Sequence, residues 1–341
     1  MFLAEADYIL KYVNSDVTTD VKKIGVTDFS HTYKYTVDAC TDEKGVVKGV
    51  SFQCCPSGLI YRRSIAQEVL GVSDPKDVQA LLSDWGKFNE VADKMAAAGY
   101  LMTPSFAETY RPYSNNTSSA WVVDGKLNIP AEIIDWMDQT EDFCKKGVTT
   151  TAGIWDDEKN QAAMPGDAKC FCLFGPAWYF NFCMGPAWDE ATGSRGDWGL
   201  CEGPAAHFWG GTWLLAATGT DNPTMVADVM NTFINNEEVC EKLVVEKAQF
   251  SNNYVINEKI AKDDELGANA LLGGQNATAL FVSMADKIQF KNQTIYDQLC
   301  NEGFQNYFGD YLKGGTKTRE DAIKNFYTYM QEKYPSLVIP E

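Results

Sequence analysis

The most informative segment of this 341-residue chain is Ala205–Thr218, which reads Ala-Ala-His-Phe-Trp-Gly-Gly-Thr-Trp-Leu-Leu-Ala-Ala-Thr. Trp209 and Trp213 bracket the pair Gly210 and Gly211, and an apolar run follows. The indole rings offer flat, rigid faces, and the glycines lack side chains, so backbone amides can approach a molecule lying against those faces. The pattern predicts a strand that forms one wall of a ligand site.

A second aromatic cluster lies about thirty residues earlier, where an apolar run ends in Gly-Pro-Ala-Trp-Tyr-Phe and brings in Trp178 and Tyr179. Aromatic faces with few polar groups suit sugar rings, because the C–H patches of a sugar stack while its hydroxyls need donors and acceptors. Both clusters are therefore candidates for carbohydrate binding. Core packing of the same tryptophans is the alternative.

Size and charge narrow the class of protein. A chain of 341 residues is long enough for two domains. Its 29 basic and 47 acidic residues give a net charge of −18, which repels phosphate backbones and argues against nucleic acid as a partner. The sequence contains no apolar run long enough to predict a membrane span. Met1–Asp7 has neither the basic region nor the apolar region of an export signal.

The ten cysteines do not form a zinc-binding pattern, since the close sets Cys54-Cys55 and Cys170-x-Cys172 lack Cys-x-x-Cys spacing. We interpret them as small buried apolar residues in a reducing environment, although the sequence leaves a disulfide open. No metal and no cofactor is predicted.

Helix and strand signals alternate along the chain. Helix-capping residues, apolar residues at helical spacing and terminal glycines predict five helices. They begin after Asp74, at Asp84, at Pro130, at Asn222 and at Thr318. Short runs that are apolar on both faces predict strands at residues 46–55, 169–174, 198–200 and 213–217. This alternation predicts an α/β architecture with largely parallel sheets covered by helices on both sides. Ligands in such folds bind beyond the strand ends, where both aromatic clusters lie.

The order of these segments resembles the carbohydrate-type solute-binding proteins of bacterial ABC importers, the family related to maltose-binding protein. Gly58–Arg63 takes the place of the family's first crossing strand, with Arg62 where the family usually has asparagine, and Trp85–Phe88 takes that of the helix that follows. Gly175–Trp178 matches a Gly-Pro-Trp-like loop, Trp209–Ala217 the return strand, and Thr318–Ala322 the start of the closing helix.

The resemblance implies a two-lobed periplasmic-binding-protein-like fold of type II, with a hinge of crossing segments. The N-terminal lobe is expected to comprise residues 1–54 and 209–286, and the C-terminal lobe residues 55–208 and 287–341. Because Phe2–Tyr8 resembles a segment normally found well inside the first lobe, we expect an incomplete first lobe that lacks two strand–helix units and the signal. The full-length form is expected to be an extracellular lipoprotein of the cell surface.

The same resemblance implies a monomer that is not an enzyme. It would bind a sugar or oligosaccharide in the cleft between the lobes and deliver it to the permease subunits of an ABC importer. Trp178 and Tyr179 would be the stacking platform of the second lobe, and Trp209, Gly210 and Gly211 would line the return crossing. The other implied ligand contacts are Glu5, Asp7, Arg62, Glu108, Arg111, Gln275 and Asn276.

Several of these residues have structural alternatives. Glu108 and Arg111 pair with each other on a solvated loop in one alternative, and Asp7 caps a helix that begins near Tyr8 in another. Arg62 is alternatively a salt-bridge partner at the hinge. Gln275 and Asn276 alternatively bind a crossing backbone, and Cys55 stands where some relatives carry an acidic contact, which argues against a maltose-like ligand.

Two other classes of function remain open. A glycoside hydrolase would also use an acidic, aromatic-rich cleft, but its candidate carboxylates have no spacing that selects a pair; they are Glu5, Glu108, Asp156, Asp157 and Glu202. A lectin or adhesin module would share the aromatic residues without needing two lobes.

Overall fold

The computed structural model describes residues 1–288 and 290–340. The chain forms two compact units: unit 1 contains Met1–Gly58, Gly175–Cys183 and Ala206–Lys291, and unit 2 contains Leu59–Phe174, Met184–Ala205 and Asn292–Glu341. Residues 175–183, which the sequence analysis assigns to the second lobe, thus pack with unit 1.

Helices dominate both units. In chain order they are α1 Ile9–Val13, α2 Lys34–Ala39, α3 Arg63–Leu70, α4 Pro75–Leu81, α5 Trp85–Ala98, α6 Tyr110–Ser114, α7 Ala131–Lys146, α8 Asp157–Ala163, α9 Ala177–Phe182, α10 Pro223–Asn235, α11 Glu237–Val245, α12 Tyr254–Ala261, α13 Ala277–Ala285, α14 Asp297–Leu312 and α15 Arg319–Lys333. Short 3-10 helices cover Val21–Ile24 and Gly185–Trp188.

The strands are short. They are β1 Phe2–Glu5, β2 Gly49–Ser51, β3 Pro56–Arg62, β4 Val122–Val123, β5 Lys126–Leu127, β6 Cys172–Pro176, β7 Trp198–Cys201, β8 His207–Phe208 and β9 Thr212–Leu215. In unit 1 a three-stranded sheet has the order β1-β9-β2. The strand β3 crosses from unit 1 to unit 2: Pro56 and Ser57 pair with β8 in unit 1, and Leu59–Arg62 pair with β7 in unit 2.

All five predicted helices are present, as α4, α5, α7, α10 and α15. Their caps explain where they begin. The Asp84 side chain accepts a hydrogen bond from the Lys87 backbone N–H at 2.9 Å, and the Thr318 hydroxyl accepts one from Asp321 at 3.1 Å. Each bond satisfies a backbone donor in the first turn that has no partner within the helix.

The expectation of largely parallel sheets is wrong. The pairs β1–β9, β2–β9, β3–β7, β3–β8 and β4–β5 are all antiparallel. In the first sheet, β9 comes from far along the chain, lies between β1 and β2 and runs against both. Strand–helix–strand units, which produce parallel neighbours, do not connect these pairs.

The core of unit 1 lies between this sheet and the helices α2 and α10, which pack on β2. Buried side chains there include Ile9, Trp213, Leu215 and Met230. The backbone of β2 approaches β9 very closely, because a Cβ built on Gly49 would lie 2.5 Å from Leu215 Cδ2 and 2.6 Å from the Leu214 carbonyl oxygen. Only glycine fits at this position without movement of β9.

Unit 2 has two apolar cores. One joins β3 to α3, α4 and α5 and includes Tyr61, Phe88 and Phe171. The other is aromatic-rich and joins α6 and α7 to α14 and α15, with Trp136 and Phe326 fully buried. At the edge of these cores Trp85 stacks on Tyr113, with ring centroids 4.0 Å apart and ring planes inclined by 13°.

None of the ten cysteines forms a disulfide; eight of them are buried and two, Cys144 and Cys183, are half-buried. Within residues 1–288 and 290–340, no cluster of three or more His, Cys, Asp or Glu side chains is placed to hold a metal ion. None of the helices described above combines the length and apolar character that crossing a membrane requires.

Candidate functional site

The site is built on α9, which follows β6 without an intervening loop. At the junction, a Cβ on Gly175 would lie 2.6 Å from Tyr179 Cγ, so glycine allows the Tyr179 ring to pack against the strand. Ala177, Tyr179 and Phe180 are buried on the inner face of α9, while Trp178 is only half-buried. The helix therefore presents one indole toward the surface of unit 1.

The segment that leads into β9 forms the second part of the site. The Trp209 backbone N–H donates to the Cys55 carbonyl at 3.0 Å, and the Ala6 N–H donates to the Gly211 carbonyl at 3.1 Å. Gly210 and Gly211 have φ of 76° and 120°, a left-handed conformation that side chains disfavour. This segment thus forms a backbone wall between two fixed points, with Gly210 half-buried and Gly211 buried.

The two aromatic segments meet in what we call the aromatic cluster, consisting of Trp178, Tyr179 and Trp209. The rings of Trp178 and Trp209 are 5.4 Å apart between centroids and inclined by 66°, and Trp178 Nε1 donates to the Trp209 carbonyl at 3.3 Å. The Tyr179 ring lies 5.5 Å from that of Trp209. Tyr179 has no exposed area and Trp209 is 7% exposed, so only Trp178 offers an open face.

A carboxylate lies at the edge of the aromatic cluster. A Cβ built on Gly210 would lie 3.6 Å from Trp178 Cζ2 and 3.7 Å from Glu5 Oε1, which places that oxygen beside the glycine wall. The other oxygen, Glu5 Oε2, accepts a hydrogen bond from the Asp7 backbone N–H at 2.8 Å. Asp7 does not cap α1, whose N-cap residue is Tyr8, so the capping alternative is wrong.

Cys55 lies behind this wall and is 1% exposed. Its Sγ is 3.9 Å from the Cβ position of Gly211. Burial raises the pKa of the Cys55 thiol, and contact with Trp178 lowers it by less. The side chain is therefore a neutral thiol behind the wall, in place of the acidic contact that some relatives carry.

Glu108 lies in unit 2 and is 2% exposed. Its Oε1 lies 2.7 Å from Lys159 Nζ, and its Oε2 accepts a hydrogen bond from the Phe174 N–H at 3.0 Å. Lys159 is 1% exposed. Glu108 is therefore part of a buried ion pair with Lys159, and the alternative of a solvated pair with Arg111 is wrong.

Arg62 is 3% exposed, also in unit 2. Its Nε donates to Asp197 at 2.8 Å, and its two terminal nitrogens donate to the carbonyls of Pro165 and Gly166. The guanidinium also lies over the Trp198 ring. These contacts favour the salt-bridge alternative for Arg62.

The remaining implied contacts are Asn276, Gln275 and Arg111. Asn276 caps α13, and its amide donates to the carbonyls of Ile260 and Asp263 at 2.9 and 3.2 Å, which is the backbone-binding alternative. Gln275 precedes it in the same turn. Arg111 is half-buried in α6 of unit 2.

Two residues of interest were missed by the sequence analysis. Phe182, four residues after Trp178 on α9, is 77% exposed and lies 6.1 Å from the Trp178 ring between centroids. The i, i+4 spacing was visible in the sequence and was the available signal. Lys159, the partner of Glu108, had no such signal in the sequence, because a lysine in a polar helix is normally exposed to solvent.

A family profile described as bacterial extracellular solute-binding protein matches residues 1–293. The chain belongs to this family. The protein is therefore a solute-binding protein and not an enzyme, and its family is an extracellular one. Comparison with curated proteins gave no significant match.

Solved structures show the same two-lobed solute-binding fold. An extracellular solute-binding protein of family 1 superposes with a TM-score of 0.81 at 18% identity, over 98% of this chain and 84% of that one. A galacto-N-biose- and lacto-N-biose I-binding protein of an ABC transporter from Bifidobacterium longum, in complex with lacto-N-biose, gives 0.72 at 14% identity, over 99% and 84%. An ABC transporter associated binding protein from B. animalis subsp. lactis Bl-04, in complex with beta-1,6-galactobiose, gives 0.69 at 15%, over 99% and 86%.

Proposed function

We propose that this solute-binding protein captures a carbohydrate against the aromatic cluster of unit 1 and delivers it to the permease of an ABC importer. The observation that carries the proposal is the half-buried Trp178 indole, inclined by 66° to the shielded Trp209 ring, with the Glu5 carboxylate beside it. An aromatic face beside a hydrogen-bond acceptor matches the apolar C–H face and hydroxyl rim of a sugar.

The roles of the individual groups follow from their chemistry. The open face of Trp178 stacks on the sugar ring, and Trp209 and Tyr179 hold that indole in place. Glu5 Oε1 accepts hydrogen bonds from sugar hydroxyls, and the backbone wall at Gly210 and Gly211 allows close approach. A net charge of −18 favours a neutral ligand over an anionic one.

The proposed mechanism is capture without chemical change. Specificity comes from the polar groups around the ring, since an unmatched buried polar group costs about 1–3 kcal/mol. Two structural relatives hold disaccharides, as their descriptions state, and this supports the assignment of a sugar to the present chain. We further propose that the protein acts as a monomer and is anchored as a cell-surface lipoprotein in its full-length form.

Replacement of Trp178 tests the proposal. The variant Trp178→Ala removes the only open face of the aromatic cluster, and truncation of a central tryptophan typically costs about 2 kcal/mol or more, roughly thirtyfold in affinity. Isothermal titration with a panel of mono- and oligosaccharides measures this loss. The matched control is Trp85→Ala, which removes another half-buried, stacked tryptophan but lies in unit 2, and we expect unchanged affinity.

Incubation of the protein with the same sugars separates capture from hydrolysis. After overnight incubation at saturating concentration, the sugar recovered from the protein should be unchanged, while its presence raises the melting temperature. Cleavage products would contradict the proposal, and so would an equal loss of affinity in the Trp178 and Trp85 variants.

A further inference from the structure

The outer face of α9 carries three side chains at helical spacing, which we call the outer strip: Trp178, Asn181 and Phe182. Residues at i, i+3 and i+4 lie on one face of a helix. Asn181 and Phe182 are exposed, and the 77% exposed fraction of Phe182 is the highest among the large apolar side chains that the structure describes. Nothing in the capture mechanism given above uses Asn181 or Phe182.

The outer strip is held rigidly from behind. On the inner face of α9, Tyr179 packs on Trp209, and Phe180 contacts Phe281 with ring centroids 6.3 Å apart. Tyr179 is 0% and Phe180 1% exposed. The orientation of α9, and with it the direction in which Trp178 and Phe182 project, is therefore fixed by buried contacts.

Phe182 forms a wall distinct from that of Trp178. Their rings meet at 72° with centroids 6.1 Å apart, so the Phe182 face does not extend the plane of the indole. A single sugar ring stacked on Trp178 leaves most of Phe182 uncovered. A second ring attached to the first can lie against Phe182, with the Asn181 amide on the same helix face as both donor and acceptor for hydroxyls.

We propose that the outer strip is a second subsite and that the ligand is an oligosaccharide of at least two units. The first unit stacks on Trp178, the next contacts Phe182, and the Asn181 amide binds a hydroxyl close to the linkage. This inference rests on the proposed carbohydrate-binding function and adds to it the minimum length of the ligand.

The test is the dependence of affinity on chain length in the full chain. The probes are glucose, maltose and maltotriose in one series, and galactose with beta-1,6-galactobiose in another. In the series that the unaltered protein binds, Phe182→Ala should weaken di- and trisaccharide binding by about three- to tenfold, the size of one aromatic contact, and leave the monosaccharide unchanged. Phe182→Tyr should retain the affinity, because it keeps the ring.

The matched control is Met225→Ala, which removes a 67% exposed apolar side chain from α10 in the same unit and should change no affinity. Equal weakening of mono- and disaccharide by Phe182→Ala would overturn the subsite, since Phe182 would then act only through Trp178. Unchanged affinity for every sugar would also overturn it. If the unaltered protein binds no member of either series, both the proposed function and the subsite fail. If the unaltered protein binds a sugar but Phe182→Ala does not weaken di- and trisaccharide binding selectively, only the subsite fails and the proposed function stands.

Discussion

Lys159 and Glu108 are buried together in unit 2, with Nζ and Oε1 2.7 Å apart. Removing either charge leaves the other without a counter-charge in a medium of low polarity. This lowers the free energy of unfolding by far more than the intact ion pair contributes to it. The Glu108 carboxylate also accepts a hydrogen bond from the Phe174 backbone N–H in β6. Because Lys159 lies in α8, the ion pair connects α8 to this strand.

We therefore expect Lys159→Met to lower the free energy of unfolding by about 3–5 kcal/mol. The double variant Glu108→Gln/Lys159→Met should lose much less than the sum of the two single variants, because no charge is left unpaired. Urea unfolding monitored by circular dichroism measures all three. The control is Lys242→Met, which breaks the exposed pair with Glu238 and should cost less than about 1 kcal/mol. Additive losses in the double variant would contradict the account.

At the scale of single elements, β2 depends on the close approach of Gly49 to β9. A methyl group at this position would overlap Leu215 and the Leu214 carbonyl, both parts of the neighbouring strand. The sheet has only three strands, so a displaced β2 cannot be compensated by further pairing.

Gly49→Ala is expected to lower the free energy of unfolding by about 1–3 kcal/mol, the usual cost of overpacking. Gly185→Ala is the matched control, because a Cβ there meets no atom within 4 Å apart from its chain neighbours, and the change should stay within about 0.5 kcal/mol. Denaturant midpoints compare the two variants. A stable Gly49→Ala protein would mean that β2 and β9 separate more easily than the structure indicates.

Helices and strands differed in how far the sequence predicted them, and the reason is physical. The start of α5 at Asp84 and its end before Gly99 are set by contacts within a few residues, so local sequence contains the signal. The antiparallel direction of β9 depends on where a distant segment inserts, which no local pattern encodes. The same holds for Glu108, because its partner Lys159 is fifty-one positions away in the sequence and meets it only in the fold.

For the candidate site, the sequence predicted Trp178, Trp209 and Glu5 as ligand contacts with Trp178 in the second lobe, whereas the structure places all three within unit 1. Composition and Gly/Pro turns were sufficient to mark the aromatic residues. Burial was not predictable: Tyr179 is fully buried although its neighbour Trp178 is not, and that difference depends on which face of α9 packs inward.

For the whole molecule, the ten cysteines outside any disulfide give a prediction that covers both units. Burial raises the pKa of the Cys144 thiol to about 11, and the eight buried cysteines are shielded from reagent. Because a raised pKa keeps a thiol protonated at neutral pH, the reactive thiolate is scarce in the folded protein.

At pH 8 we expect Ellman's reagent to react with only Cys144 and Cys183 in the folded protein, slowly at Cys144 because its pKa is raised, and with all ten thiols in denaturant. The rate at Cys144 should rise about tenfold per pH unit until the pH nears 11. The variant Cys144→Ser identifies its share of the signal. Rapid reaction of more than two thiols without denaturant would contradict the burial described here.

The glycine wall at Gly210 and Gly211 also has an evolutionary consequence. Both positions require a backbone conformation that side chains disfavour, so mutation cannot easily add a new recognition group there. Descendants of this protein that acquire a different nutrient would have to change residues on α9 or near Glu5. Divergence among relatives should therefore be found at the rim of the site, while the wall itself is inherited unchanged.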